Sequence, residues 1–171
     1  MKSDVAVVMG SDSDLPGLRP CLDILAKAKV GFDVAVLSAH RTPDLLRRYV
    51  ADCERAGVRV FIAAAGGAAH LPGVIAAQTN LPVIGVPMES QLKGVDSLLS
   101  MVQMPSGIPV ATVALGRAGA TNAAILALQI LALGNPELGR VLRTMRREVR
   151  DKVVAANRRV RTELHGQGGR D

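Results

Sequence analysis

Short apolar runs alternate with amphipathic segments along the first 135 residues of the chain. Continuous apolar runs of four to eight residues are typical of buried strands, and apolar residues three and four apart are typical of helices. The chain predicts strands at 4–9, 33–37, 59–64, 82–86 and 109–113, with helices from 15 to about 29, at 43–56, after residue 70, near 95–102 and at 118–133. Strands that alternate with helices indicate one α/β domain with a doubly wound parallel sheet.

The order of the strands follows from general rules for parallel sheets. Crossovers between parallel strands are right-handed, and five strands then favour the order 2-1-3-4-5. In that order the first and third strands are neighbours, and a ligand crevice opens beside their carboxyl ends. We therefore expect functional residues in the turns that follow the first three strands.

Residues 136–165 follow a different pattern. Their apolar residues recur at steps of three and four from Leu138 to Leu164, which predicts one long amphipathic helix. At ~1.5 Å per residue this helix extends roughly 40 Å, more than one small domain covers. We expect it to pack on a neighbouring subunit, and the alternative is a solvated helix that frays past Val153. Residues 166–171 are expected to form a flexible tail.

The charge of the chain is concentrated in this last segment. Of the net charge of +6, residues 1–135 carry +1 and residues 136–171 carry +5. The basic excess therefore lies away from the strand ends, and no aromatic RNA-binding motif accompanies it. We expect no nucleic-acid partner; the alternative is an RNA-binding protein that acts through its basic helix.

The cysteines and the apolar runs indicate a compartment. Cys21 and Cys53 fall in helical patterns without metal-like spacing, which is typical of buried thiols in a reducing environment. No apolar run approaches the ~18 residues of a membrane helix. Met1 leads directly into the first strand and leaves no room for a signal peptide. We expect a cytoplasmic protein without a membrane partner.

Two of the three turns carry groups suited to a phosphorylated substrate. After the first strand, Ser11, Ser13 and the amides of a helix amino end suit a phosphate, and Asp14 suits ribose hydroxyls. The alternative for Asp14 is an ordinary helix cap. After the second strand, His40 can give and take a proton near neutral pH, and Arg41 offers a planar fork for an anion. The alternative is a capping histidine beside a solvated cation.

The third turn contains Gly66 and Gly67, which allow a ligand to approach the backbone, and then His70. Three such turns at adjacent strand ends predict one site.

No carboxylate or cysteine joins the histidines at metal-ligand spacing, so we expect no metal. No Gly-x-Ser-x-Gly turn supports a serine hydrolase. The loop of residues 103–109 is either a lid or a loop that faces a neighbour.

Four segments carry a resemblance to a known family. They are Val-Val-Met-Gly-Ser-Asp-Ser-Asp at 7–14, Ser-Ala-His-Arg-Thr-Pro at 38–43, Ala-Gly-Gly-Ala-Ala-His-Leu-Pro-Gly at 65–73 and Gln-Met-Pro-Ser-Gly-Ile-Pro-Val-Ala-Thr at 103–112. In this order and spacing they closely resemble the bacterial N5-carboxyaminoimidazole ribonucleotide mutases, the catalytic subunits of phosphoribosylaminoimidazole carboxylase. The resemblance covers about residues 5–133. Leu15 stands where the family often has Trp, beside the site rather than in its chemistry.

The resemblance implies a three-layer αβα, flavodoxin-like fold and a homo-octamer in which the C-terminal helix reaches a neighbour. The implied reaction converts N5-carboxyaminoimidazole ribonucleotide to 4-carboxy-5-aminoimidazole ribonucleotide in de novo purine biosynthesis, the route to IMP. It implies no cofactor, ATP, biotin or metal. The implied functional partner is the ATP-dependent synthetase that makes the N-carboxylated substrate.

The resemblance also implies a role for each residue of the site. His40 shuttles the proton, and Asp14 binds the ribose. The 5′-phosphate is held by Ser11, Ser13 and Arg41. The remaining substrate-binding residues, several of which border the base and the migrating carboxylate, are Ser38, Gly66, Gly67, Ala68, His70 and Leu71. The alternatives are an aminoimidazole ribonucleotide carboxylase that uses CO2 directly, and a non-enzymatic module that binds a nucleotide or flavin. Because only 2% of the residues are aromatic, few rings are available to stack on a flavin.

Overall fold

The computed structural model of the protein describes residues 3–166. The expected flexible tail therefore lies, apart from its first residue, outside the described residues. Five strands form one parallel sheet in the order β2-β1-β3-β4-β5, as predicted. The strands are β1 (Val5–Met9), β2 (Phe32–Val36), β3 (Val60–Ala65), β4 (Val83–Pro87) and β5 (Ala111–Thr112). Strand β1 lies between β2 and β3, with Val5 level with Phe32 on one side and Val60 on the other.

Six helices accompany the sheet. They are α1 (Leu15–Lys27), α2 (Pro43–Ala56), α3 (Leu71–Ala76), α4 (Val95–Val102), α5 (Gly116–Ala132) and α6 (Pro136–Gly166). A single 3-10 turn, Asp12–Asp14, precedes α1. No helix in the described part of the chain is both long and apolar enough to cross a membrane.

The helices lie on both faces of the sheet and bury β1, β3 and β4 completely. On one face α1 and α5 pack on alternate strand residues such as Val7 and Ile62. On the other face α2 and α3 pack on the intervening residues, such as Val8 and Ala63. Helix α5 approaches closely because it is rich in alanine, and a Cβ on Gly119 would lie 1.7 Å from the carbonyl oxygen of Ala114. The predicted three-layer αβα architecture is confirmed.

Strand β5 is shorter than predicted. The sequence predicts a strand over 109–113, but only Ala111 and Thr112 pair with β4. Pro109 has no N–H to donate, which limits proline to the ends and edges of sheets. The other observed boundaries lie within a few residues of those predicted.

Helix α6 has two halves with different surroundings. Leu138 is buried, and Val141, Leu142 and Met145 pack against the core. Lys27 of α1 forms an ion pair with Glu148 at 3.3 Å, which joins the packed half of α6 to the body of the domain. We name residues 149–166 the overhang; from 149 to 164 every side chain is exposed except that of Ala156. At ~1.5 Å per residue the overhang extends roughly 27 Å.

Candidate active site

The carboxyl ends of β1, β2 and β3 enclose a cavity of about 390 Å³. Parallel strands place their following turns at one edge of the sheet, so turns far apart in sequence meet here. All the predicted site residues line this cavity except Gly67 and His70, which belong to the third turn but are not part of the lining. The lining residues are Gly10, Ser11, Ser13, Asp14, Ser38, Ala39, His40, Arg41, Ala65, Gly66, Ala68, Leu71 and Glu89.

The first turn presents two linked hydroxyls. Ser11 Oγ accepts hydrogen bonds from the Ser13 amide at 3.3 Å and from Ser13 Oγ at 2.8 Å, and it caps the 3-10 turn. Asp14 occupies the capping position of α1, yet its carboxylate caps no amide of that helix. The alternative of an ordinary helix cap therefore does not describe the Asp14 carboxylate. The Asp14 carboxylate remains available to a ligand in the cavity.

Burial raises the pKa of Asp14, because removal of water disfavours the charged carboxylate. A backbone hydrogen bond at Ser11 opposes part of this effect by stabilising the charge, and the nearby Asp12 carboxylate raises the pKa further. A half-buried acid of this kind forms stronger hydrogen bonds to ligand hydroxyls than it would in open water.

The second turn is fixed by Ser38 and Thr42. Thr42 Oγ1 accepts from the Ser38 amide at 2.9 Å and donates to the Ser38 carbonyl at 3.1 Å. Ser38 Oγ accepts from the amides of His40 and Arg41 at 3.3 and 3.1 Å. Each such bond contributes about 1 kcal/mol. Ser38 thus holds the backbone that carries His40 and Arg41, and its own hydroxyl proton remains to be donated.

Arg41 links the ends of two strands. Its Nη2 donates to the carbonyl oxygen of Gly10 at 3.1 Å, which draws the guanidinium from the β2 turn towards the β1 turn. This contact brings the cation beside the Ser11 and Ser13 hydroxyls in the cavity. A guanidinium held in plane presents its remaining N–H groups as a fork, the geometry that suits a phosphate.

His40 and His70 form a pair across the second and third turns. Nε2 of His40 lies 2.8 Å from Nδ1 of His70, and the rings meet edge to face with centroids 4.9 Å apart. At this distance one nitrogen donates and the other accepts, so the contact holds one proton between the two rings. His70 sits at the capping position of α3 without capping it, which leaves its ring free for this contact.

The third turn brings the backbone close to a neighbouring segment. A Cβ on Gly66 would lie 3.2 Å from the carbonyl oxygen of Glu89, so only glycine fits here without displacing that segment. Gly67 has φ +67°, the left-handed conformation that favours glycine. Its amide donates to Ser97 Oγ of α4 at 2.9 Å. The turn is therefore held both by its own glycines and by α4.

Two residues near the site were missed in the sequence analysis. Glu89 lines the cavity just beyond β4, and the same strand-end argument that indicated the other turns applies to it. Ser97 lies behind the third turn, and a serine in a short helical pattern gave no signal of burial. In the stretch 3–166, no three His, Cys, Asp or Glu side chains are grouped as metal ligands would be.

The loop of residues 103–109 runs from Met104, whose sulfur lies beside Gly73 of α3, to residues 107–109 at the other end of the sheet. Gly107, Ile108 and Pro109 border a second cavity together with Leu81 and Pro82, which precede β4. A loop before β5 necessarily emerges at the amino ends of the strands. Both of its predicted roles, a lid and a loop that faces a neighbour, stay predictions.

The chain is similar to known proteins over most of its length. The family model for AIR carboxylase matches residues 4–152. The chain is 52% identical over 155 residues to the N5-carboxyaminoimidazole ribonucleotide mutase of Pseudomonas aeruginosa, covering 90% of this chain and 95% of that protein. It is 51% identical over 164 residues to the mutase of the same name from Pyrococcus horikoshii, covering 94% and 92%. The crystal structure of Treponema denticola PurE matches with a TM-score of 0.83 at 25% identity, covering 91% of this chain and 96% of that one. The chain belongs to the AIR carboxylase family.

Proposed function

We propose that the protein is a mutase that converts N5-carboxyaminoimidazole ribonucleotide to 4-carboxy-5-aminoimidazole ribonucleotide in purine biosynthesis. The observation that carries this proposal is His40, which lines one cavity with Arg41, Ser11 and Ser13 and whose Nε2 lies 2.8 Å from Nδ1 of His70. Proton-transfer groups then lie beside groups suited to a phosphate, as a ribonucleotide substrate requires. The relatives at about 50% identity named as mutases support the same substrate.

The substrate is oriented by its phosphate and ribose. Arg41, Ser11 and Ser13 hold the 5′-phosphate, and Asp14 accepts from the ribose hydroxyls. The base then reaches the part of the cavity between His40 and the Gly66–Ala68 turn. Fixing a remote phosphate in this way spends binding energy on positioning the reacting atoms.

In the first step the carboxylate leaves the exocyclic nitrogen as CO2. The C–N bond breaks, its electron pair stays on the nitrogen, and that nitrogen takes a proton from protonated His40. This leaves aminoimidazole ribonucleotide, CO2 and neutral His40. The small apolar side chains of Ala39, Ala65 and Ala68 line the cavity and give a retained CO2 molecule an apolar wall.

In the second step C4 of the imidazole attacks the CO2 carbon. The new C–C bond forms from ring electrons, and one C=O electron pair moves onto oxygen to regenerate a carboxylate. Neutral His40 removes the C4 proton and returns to its starting form, so the two steps balance without a co-reactant. His70 holds the His40 ring in orientation between the steps through the proton they share.

The alternative is a carboxylase that takes aminoimidazole ribonucleotide and CO2 directly, which the family's description allows. The decisive assay supplies the N-carboxylated ribonucleotide without ATP and follows the 4-carboxylated product by ultraviolet absorbance. A parallel reaction supplies aminoimidazole ribonucleotide with bicarbonate. A mutase turns over the first substrate much faster at limiting CO2. Faster turnover of the second substrate contradicts the proposal and favours the carboxylase.

The assembly and cellular context extend the proposal. We propose a cytoplasmic homo-octamer in which the overhang of α6 packs on a neighbouring subunit. Its exposed apolar residues, among them Val149 and Leu164, are 63% and 67% exposed in one chain and gain burial only from a partner. The buried free thiols of Cys21 and Cys53 fit a reducing compartment. An ATP-dependent synthetase supplies the N-carboxylated substrate, as the resemblance to the mutase family implies.

A further inference from the structure

Ser97 is the one buried polar side chain within residues 3–166, and none of its surface is exposed. A buried hydroxyl is unfavourable unless its hydrogen bonds are made, so its partners identify its role. Its Oγ accepts from the amide of Gly67 at 2.9 Å and donates to the carbonyl of Met88 at 2.8 Å. One hydroxyl therefore joins the turn after β3 to the segment after β4.

These two segments form one wall of the cavity. Gly66 and Glu89 line it, and they are apposed so tightly that a Cβ on Gly66 would lie 3.2 Å from the Glu89 carbonyl. The amide of Met88 also donates to the carbonyl of Ala65 at 2.9 Å, which extends the β3–β4 pairing up to the turn. Ser97 lies immediately behind this wall and touches none of the cavity itself.

The backbone at Gly67 is flexible, so a fixed hydrogen-bond acceptor for its amide restricts the conformation of the turn. With φ at +67°, Gly67 has many accessible conformations, and nothing lies within 4 Å of where its Cβ would be. Side-chain packing therefore does not hold the turn at this residue. The bond to Ser97 is the shorter of the two that side chains of α4 make to Gly67, and its loss leaves an amide donor without its buried acceptor.

We propose that Ser97 is a positioning residue for the isomerisation, acting through Gly67 to fix the wall formed by Gly66 and Glu89. The inference rests on the proposed function, because that wall borders the reacting base and carboxylate. The residues proposed to bind the phosphate, Arg41, Ser11 and Ser13, belong to other turns, and Ser97 does not hold them in position. Ser97 therefore affects the rate of the chemical steps more than the binding of the substrate.

The test is the Ser97→Ala variant of the full chain, assayed with the N-carboxylated ribonucleotide. We expect kcat to fall roughly 10-fold and at most ~100-fold, since misplacement of a reacting group by about 1 Å has such effects. KM should change less than about threefold, because the phosphate contacts are retained. Ser97→Cys, similar in size with a weakly bonding sulfur, should give an intermediate kcat.

Ser100→Ala is the matched control on the same helix. Ser100 Oγ donates to the Asp96 carbonyl at 2.8 Å and, over a longer 3.4 Å, to the Gly67 carbonyl, so its loss leaves the Gly67 amide bonded to Ser97. Its kcat should stay within about twofold of wild type. Equal losses in Ser97→Ala and Ser100→Ala would mean that α4 matters only for stability, and would overturn the proposal.

Hydrogen exchange measured by mass spectrometry tests the same contact without activity. A peptide that covers residues 66–71 should exchange faster in Ser97→Ala than in wild type or Ser100→Ala. Unchanged exchange, or an unchanged kcat, overturns the role of Ser97. If Ser97→Ala does not fold, Ser97→Cys carries both measurements. An inactive wild-type protein with faster exchange in the variant would instead refute the proposed reaction and leave the contact established.

Discussion

The crevice and the overhang of α6 are both exposed and both rich in charged or polar groups, but their contacts differ in range. In the crevice, Arg41 reaches Gly10 across two strand ends and His40 reaches His70 across thirty residues of sequence. In the overhang, the one ion pair within the described side chains joins the adjacent residues Arg150 and Asp151, at 3.9 Å.

This difference indicates whether the role of each region depends on one chain alone or on other molecules. Long-range contacts in the crevice are made by the fold of one chain, so a single chain positions the site's side chains. The overhang has an apolar stripe but no surface of its own chain to cover it, so its role depends on other molecules. Changes in the crevice should alter turnover and leave assembly intact, and changes in the overhang should do the reverse.

The largest expected effect is that of His40→Asn. Asparagine keeps polarity and approximate size but cannot carry a proton, and loss of general acid–base catalysis usually costs ~10²–10⁴-fold in rate. Because His40 serves two steps, we expect a fall in kcat towards the upper end, with little change in substrate binding. Steady-state kinetics and sedimentation of the same preparation measure turnover and assembly together.

His70→Asn is the matched control, since it removes the other ring of the pair. It should lower kcat less than His40→Asn, because the shuttle itself remains and only its hydrogen-bond partner is lost. A His40→Asn variant that retains more than about a tenth of the wild-type kcat, a loss smaller than the ~10²-fold minimum, would show that His40 is not the shuttle.

Arg41→Lys should have the next largest effect. Lysine keeps the charge but replaces the flat fork, and it loses the bond that the guanidinium makes to Gly10 at 3.1 Å. Loss of one charge-assisted hydrogen bond, about 1.5–3 kcal/mol, corresponds to roughly 10–150-fold in kcat/KM. KM should rise more than kcat falls, because the phosphate lies away from the reacting atoms.

A substrate without the 5′-phosphate separates the roles of Arg41. Wild type and Arg41→Lys should process it about equally slowly, since neither has a phosphate to bind. A variant that is still strongly impaired on this substrate would place Arg41 at the base or the carboxylate. The crevice would then be organised differently from the arrangement proposed here.

The sequence predicted the crevice because its residues follow strands, and strand order follows from topology rules. Runs such as Val5–Met9 are apolar enough to locate the sheet, and its order then brings Ser11, Arg41 and Gly66 together. The pairing of His40 with His70 was not predicted, because it depends on side-chain directions at two turns. A pattern of apolar residues carries no information about those directions.

The burial of Ser97 and the short length of β5 are two further features that the pattern of apolar residues did not predict. The burial of Ser97 arises from the packing of α4 behind the third turn, a tertiary contact without a local signal. β5 begins at Ala111, two residues later than predicted, and Pro109, which has no N–H to donate, stays outside the sheet. The overhang of α6 was predicted correctly as a helix, and its partner stays a prediction.

Deletion of the overhang after Val149 tests the other side of the comparison. The packed half of α6 keeps Leu138 buried and the Lys27–Glu148 ion pair intact, so the α/β domain should remain folded. We expect a smaller species in sedimentation velocity and a smaller change in turnover per folded chain than either crevice variant gives. An unchanged octamer-sized species would show that the overhang is a solvated basic helix.

Asp14→Asn is the smallest change, and it separates stability from binding within the crevice. Burial raises the pKa of Asp14, so the folded chain binds that proton more tightly than the unfolded chain does. The protonated Asp14 carboxyl therefore stabilises the fold fully at pH values below the pKa that Asp14 has in the unfolded chain. This stabilisation is lost as the pH rises through the pKa that Asp14 has in the folded chain. Asparagine does not titrate, so the variant should gain in thermal stability relative to wild type on going from acid to neutral pH.

An amide oxygen still accepts from the ribose, so KM should rise only about 2–10-fold at neutral pH, the difference between a charged and a neutral hydrogen bond. Thermal unfolding of both proteins across this pH range, with KM measured at neutral pH, tests both expectations. A stability difference that shrinks towards neutral pH would mean that the Asp14 carboxylate is paired in the fold, and the ribose contact would then lose its support.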